Sequence, residues 1–155
     1  MTRGRGTAAP GKENEMILIT KTVTFCAAHR YWQPAWDEAK NRAVFGPCAN
    51  PHGHGHNYRL ELSLAGEPDP ETGMIIDLKD VKAVLEQTVL DRLDHRFLNQ
   101  DIPHFQTVIP TTENLVLYIR DLLQPAFRGA RVHRIRLWES DDLCVEWTAE
   151  ESCSA

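Results

Sequence analysis

Apolar and polar positions alternate along two long stretches in the first half of the chain. From Met16 onward, Ile17, Ile19, Val23, Phe25, Ala27 and His29 share one parity, and only Lys21 interrupts it. After Gly55 the apolar Tyr58, Leu60, Leu62 and Leu64 are separated by Asn57, Arg59, Glu61 and Ser63. A period of two puts one residue set on one face of a strand, so both stretches predict half-buried strands. The period then lengthens. Leu78, Val81, Leu85 and Val89 recur at three- and four-residue spacing behind Asp77, an N-cap residue type, and predict a helix to about Leu93. Leu115, Ile119, Leu122 and Ala126 form a second helical stripe, capped by Thr111 or Thr112 and ending before Gly129. Val132 to Glu139 and Leu143 to Thr148, split by Ser140-Asp141-Asp142, predict a closing hairpin. Between these elements, Tyr31 to Pro47 is too long for a tight turn and predicts a functional loop, while Asp94 to Pro110 predicts a long irregular link.

The order strand, strand, helix, helix, strand, strand predicts an α+β domain: a four-stranded antiparallel sheet with two helices on one face. Such a sheet leaves its other face and its edges in need of cover, which predicts assembly with further copies of the chain. Residues 1 to 15 combine Gly, Arg, Thr, Ala, Pro and Lys without a hydrophobic period and predict a disordered tail. Residues 16–150 then form one domain and residues 151–155 a short tail. With 155 residues, 42% hydrophobic and 25% charged, the composition is that of a globular protein. Net charge is −5 and Lys and Arg do not cluster, so the footprint of a nucleic-acid binder is missing and a small-molecule partner is expected. No apolar run approaches a membrane span, the first residues lack a signal-peptide core, and a cytoplasmic protein is expected. The four cysteines, Cys26, Cys48, Cys144 and Cys153, contain no CxxC pair and are expected as thiols.

Chemistry concentrates in Cys48-Ala-Asn-Pro-His52-Gly-His54-Gly-His56-Asn-Tyr58. His54 and His56 are in phase with the apolar set of their strand, so both side chains project the same way and can share one ion. A catalytic zinc site keeps three protein ligands and one open position. His29, ending the first strand on its apolar face, is the candidate third ligand if the two strands pair in a suitable register, and His52 competes for the role. Cys48, beside that proposed cation, is a candidate base or nucleophile whose thiol would ionise more readily than a free one. A buried structural cysteine and a fourth, site-closing ligand are its other readings. Asp94-His95 pairs a carboxylate with an imidazole, and suits either proton transfer near neutral pH or a simple helix end. Glu139 ends a strand in phase with Ile135 and Leu137. It can be a solvated strand end, or a carboxylate accepting two N–H bonds from a flat heterocycle.

Taken in order, Phe25-Cys26-Ala27-Ala28-His29, Cys48 with His54-Gly55-His56-Asn57-Tyr58, Leu93-Asp94-His95, Thr111-Thr112-Glu113-Asn114 and Trp138-Glu139-Ser140 resemble the signatures of the 6-pyruvoyl-tetrahydropterin synthase family. The resemblance implies a T-fold, or tunnelling fold, assembled as a homo-hexamer in which a dimer of trimers closes an oligomeric barrel, with active sites between subunits. It implies a lyase eliminating triphosphate from 7,8-dihydroneopterin triphosphate, with zinc on His29, His54 and His56 and magnesium as a second candidate cofactor. Cys48 would be the general base, Asp94 and His95 would complete the proton-transfer group, and Glu139, Thr111, Thr112 and Glu113 would hold the pterin. Within the family, 6-carboxy-tetrahydropterin synthases carry a shorter spacer between cysteine and histidine motif than the five residues Ala49 to Gly53 here, which favours the pyruvoyl type. A folate-linked branch has glutamate in place of the cysteine. A non-catalytic zinc or pterin-binding module, with Cys48 as a fourth ligand, is the reading of a different class. Two positions depart from the pattern: His52 adds an imidazole, and Cys26 replaces a residue that often carries a hydroxyl.

Overall fold

The computed structural model describes residues 16–150, so the two tails expected at 1–15 and 151–155 lie outside the described residues. Strands β1 (Leu18–His29) and β2 (His54–Ala65) pair antiparallel over their whole length, from Leu18 opposite Ala65 to His29 opposite His54. Strand β4 (Arg131–Ser140) continues the sheet beyond β2, and β5 (Leu143–Thr148) returns beside β4 through the expected hairpin. The sheet has five strands rather than four. A two-residue strand β3 (Arg96–Phe97) runs parallel to β1 on its free edge, giving the order β3-β1-β2-β4-β5. An unpaired edge presents a row of open donors and acceptors, and this short strand covers part of it. The link from Asp94 to Pro110 is therefore built rather than irregular: after β3 it holds a helical turn, α4 (Leu98–Asp101), and a 3-10 turn at Pro103–Gln106.

Both expected helices form, capped as their sequences indicate. Asp77 accepts from the Lys79 amide at the start of α2 (Leu78–Leu85), which runs on through a π turn (Glu86–Leu90) into a last turn, α3 (Asp91–Leu93). Thr111, rather than Thr112, caps α5 (Thr112–Leu123). Val81, Leu85, Val89 and Leu93 from the first helix and Leu115, Ile119 and Leu123 from the second are fully or almost fully buried. They meet Phe25, Ala27, Tyr58, Leu60, Leu62, Leu64, Ile135 and Leu137 from one face of the sheet in a single core. Where that core face reaches the ends of β1 and β2, the apolar row gives way to histidines.

The loop after β1 is ordered by one buried amide. Helix α1 (Glu38–Phe45) starts at Asp37 and carries Asn41 into the interior. Asn41 Nδ2 is shared among the carbonyls of Gln33 (3.0 Å), Trp36 (3.2 Å) and Asp37 (3.0 Å), while Oδ1 accepts from the Gln33 amide at 2.7 Å. A 3-10 turn, Gly46–Ala49, follows and delivers Cys48. Its carbonyls are tied back to the end of β1 by the Tyr31 amide, 2.9 Å from the Cys48 oxygen, and by Arg30 Nε, 3.1 Å from the Ala49 oxygen. Asn41→Ala removes all four side-chain bonds and is expected to destabilise the protein by about 1–3 kcal/mol, the cost of stranded buried polar groups. Urea denaturation measures this, and an unchanged midpoint would show that the loop is ordered by other contacts.

Candidate metal centre and active site

Three elements of local geometry converge at one end of the sheet. The β1–β2 ladder sets His29 opposite His54 and Ala27 opposite His56, so all three imidazoles occupy the core face. Gly53, just before β2, has φ +68°, and a Cβ there would stand 2.7 Å from the His29 carbonyl; only glycine lets the chain turn this close beneath the triad. Beyond His29 the ladder is prolonged by a side chain. Asn99 accepts from the Arg30 amide at 2.8 Å and donates to its carbonyl at 2.9 Å.

The histidine nitrogens are set for a cation. Nδ1 of the fully buried His29 lies 2.9 Å from the Pro110 carbonyl, which can only accept, so Nδ1 carries the hydrogen and the Nε2 lone pair is free. That lone pair faces His54 Nε2 at 3.1 Å. One ligand nitrogen from each of His29, His54 and His56 falls within 4.8 Å of the other two, so the buried triad can hold a metal ion. His56 Nε2 is buried and has no well-oriented hydrogen bond, although Glu139 Oε1 is 3.2 Å away. Glu139 is thus an electrostatic neighbour of His56 rather than a bond that consumes the nitrogen. Burial, with His54 and His56 alongside, lowers the His29 pKa to about 3, and burial with His56 alongside lowers that of His54. Neutral imidazole is the metal-binding form. Convergent lone pairs and an orphaned buried nitrogen suit the borderline-soft ion expected from the sequence. His52 is exposed on the turn before Gly53 and stands apart from the triad.

A carboxylate, a thiol and two phenols surround this centre. Glu139 lies at a β-bulge, where Trp138 pairs with Cys144 and Ser140 with Leu143, leaving the carboxylate residue between them without a partner in β5. Its Oε2 accepts from the Thr112 hydroxyl, so a strand end that could have been solvated is turned inward. Thr111 is spent on its helix cap, and Glu113 sits in the first turn of the same helix. Tyr58 Oη lies 3.2 Å from His29 Nδ1, and Tyr31 packs at 4.8 Å against the His29 ring. Burial and the Glu139 charge push both phenols above their ordinary range. Cys48 feels the same carboxylate: desolvation, then Glu139, raises its thiol pKa. The easier ionisation expected for Cys48 is thus not a property of the protein side chains alone, because the charge they set beside it is negative. Tyr31 and Tyr58 were not singled out as site residues from the sequence, though Tyr58 shares the parity of His54 and His56.

Asp94 and His95 lie elsewhere. Asp94 Oδ1 accepts from the Cys26 amide at 2.8 Å, which holds its carboxyl below the usual range, and Oδ2 lies 3.0 Å from His95 Nδ1. His95 has φ 58°, a left-handed backbone uncommon outside glycine, and its amide donates to the Cys26 carbonyl at 2.7 Å. Cys26 alternates with Ala27, so the pair sits with Cys26 on the face opposite the triad.

A model of the 6-pyruvoyl tetrahydropterin synthase family matches residues 18–150. The chain belongs to the 6-pyruvoyl tetrahydropterin synthase family. A 6-pyruvoyl tetrahydrobiopterin synthase of Pongo abelii is 37% identical over 142 residues, covering 92% of this chain and 98% of that protein. The solved structure of Caenorhabditis elegans 6-pyruvoyl tetrahydropterin synthase matches with a TM-score of 0.82 at 31% identity, covering 88% of this chain and 97% of that one. A provisionally named 6-carboxy-5,6,7,8-tetrahydropterin synthase of Archaeoglobus fulgidus is 37% identical over 76 residues, which cover 49% of this chain and 59% of that protein. The T-fold expected from the motifs is thus the fold observed, as an open sheet in the single chain. No helix among the described residues is long and apolar enough to cross a membrane.

The lowered His29 pKa has a consequence for the metal-free protein. Between about 3 and 6.5 the unfolded chain binds a proton that folded His29 refuses, so stability is complete above pH 6.5 and declines as pH falls toward 3. The slope from this one group is expected to reach at most about 1.4 kcal/mol per pH unit. Urea midpoints of wild type and His29→Gln across that window test it, since the variant should lose part of the slope.

Proposed function

We propose that the chain is a zinc-dependent 6-pyruvoyl-tetrahydropterin synthase, a phosphate-lyase that eliminates triphosphate from 7,8-dihydroneopterin triphosphate, with residues 16–150 as its catalytic unit. One observation carries this reading: three imidazoles converge beside a thiol and an inward-turned carboxylate, in a chain of this family. His29, His54 and His56 would hold the zinc. Bound there, the ion supplies a positive charge that polarises substrate hydroxyl oxygens and favours the thiolate of Cys48.

The protein's own groups divide the remaining work. Glu139 accepts N–H bonds from the edge of the pterin ring, with Thr112 fixing its second oxygen and Thr111 and Glu113 beside it at the start of α5. Cys48, on its tethered 3-10 turn, removes the proton from the substrate side chain as triphosphate departs. Asp94, with Oδ2 3.0 Å from His95 Nδ1, orients the imidazole that is the partner in proton transfer. Because that pair occupies the opposite sheet face from Cys48, the site is complete only between copies, which supports a homo-hexameric assembly. The partner is a small pterin triphosphate in the cytoplasm rather than nucleic acid or membrane, and magnesium is assigned no ligands.

The 6-carboxy-tetrahydropterin synthase reading is favoured less, because its relative matches about half of this chain and the Cys48–His54 spacer is long. Incubating zinc-loaded protein with 7,8-dihydroneopterin triphosphate and weighing the product separates the two. A pyruvoyl side chain is expected; a carboxyl side chain with release of a two-carbon aldehyde assigns the other branch, and unchanged substrate refutes both. Cys48→Ala is expected to lower turnover by at least about a hundredfold with its zinc content retained. Loss of zinc in that variant would make the thiol a ligand rather than a base.

A further inference from the structure

On the sheet face opposite the histidine triad, Cys26 stands beside Asp94 and His95. A sulfur, a carboxylate oxygen and an imidazole nitrogen from these residues all lie within 4.8 Å of one another. Two of them are fixed from the main chain, since Asp94 is held by the Cys26 amide and His95 by its own amide on the Cys26 carbonyl. The three donors thus come from one local hydrogen-bonded unit. A cavity of about 460 Å³ lies against it, lined by Cys26, Asn57, His95, Arg96 and Phe97 and reaching His56 of the triad at its margin, so an ion can reach the sulfur. A thiolate, an imidazole and a carboxylate match the ligand types and reach of a tetrahedral zinc-like ion with one position left to water. A hydroxyl at position 26 would not supply this soft donor.

We infer that Cys26, Asp94 and His95 form a second binding site for a thiophilic divalent cation, separate from the histidine triad, and that occupying it inhibits the enzyme. Binding releases the Cys26 thiol proton to solvent and replaces any proton shared between Asp94 Oδ2 and His95 Nδ1 with the metal. Thiolate and carboxylate together balance the charge of a divalent ion, while Arg96 on the cavity wall limits the affinity. The inhibitory half of this inference rests on the proton-transfer role proposed for His95, because a metallated imidazole cannot exchange a proton. The binding half does not.

Cadmium is the probe, added to protein already loaded with zinc, and sulfur-to-cadmium charge-transfer absorbance reports the thiolate bond. Wild type is expected to take up cadmium in a saturable step that Cys26→Ser and His95→Ala each weaken by more than about tenfold, with the original zinc retained in all three. Equal uptake by wild type and Cys26→Ser would place the signal on other cysteines and overturn the site. Equal uptake by wild type and His95→Ala would reduce it to a lone thiol and overturn it as well. In turnover assays Cys26→Ser should match wild type without cadmium and resist inhibition with it; equal sensitivity would overturn the inhibitory role. If wild type shows no turnover at all, the proposed reaction fails while the absorbance titration still decides the site.

Discussion

The structure depends first on the register between β1 and β2. Twelve residues of each strand pair without interruption, and the same ladder that buries Phe25 against the helices ends by setting His29 opposite His54. Side chains alternate between faces, so a slip of one residue would turn every apolar contact and every histidine of one strand to the wrong side. The energetic demand of the core and the convergence of the histidine triad are therefore met by one choice. Burial selects the register, and the triad is its last rung.

Much of this was legible because strand parity is a local property. His54 and His56 could be grouped from their spacing alone, and His29 from the parity of its own strand, since each inference needs only the alternation of one segment. The caps at Asp77 and Thr111, likewise, follow from short-range hydrogen bonding. What the sequence concealed depends on contacts between distant segments. Strand β3 exists because Arg96 and Phe97 reach the free edge of β1, some seventy positions earlier, and two residues carry too little pattern to announce a strand. The carboxylate beside Cys48 was hidden for a related reason. Its sequence neighbours pointed to the metal-binding histidines, but not to Glu139, which β4 brings in from a distant segment and which sets a negative charge beside the thiol. Asn41 looked like any polar helix residue, and its burial follows from the path of the loop it ties.

Residues expected to cooperate also occupy two sides of one sheet. Cys48 and Glu139 gather around the triad on the core face, while Asp94 and His95 share the far face with Cys26. A sheet is thin, but its two faces present different surroundings, one continuous with the apolar core and the other carrying Arg59, Glu61 and Arg136 in mutual contact. With the proposed base and its proposed proton-transfer partners on opposite surfaces, the proposed chemistry is conditional on how sheets meet. The left-handed backbone of His95 is spent on holding one half of that arrangement in place.

The bulge at Glu139 has a mechanical consequence. Because the extra residue in β4 interrupts its pairing with β5, the carboxylate is anchored by the Thr112 hydroxyl on α5 rather than by the outermost strand. The hairpin rim can then flex or take insertions at Asp141 and Asp142 while the carboxylate keeps its position. The margin of the sheet is thereby uncoupled from its centre.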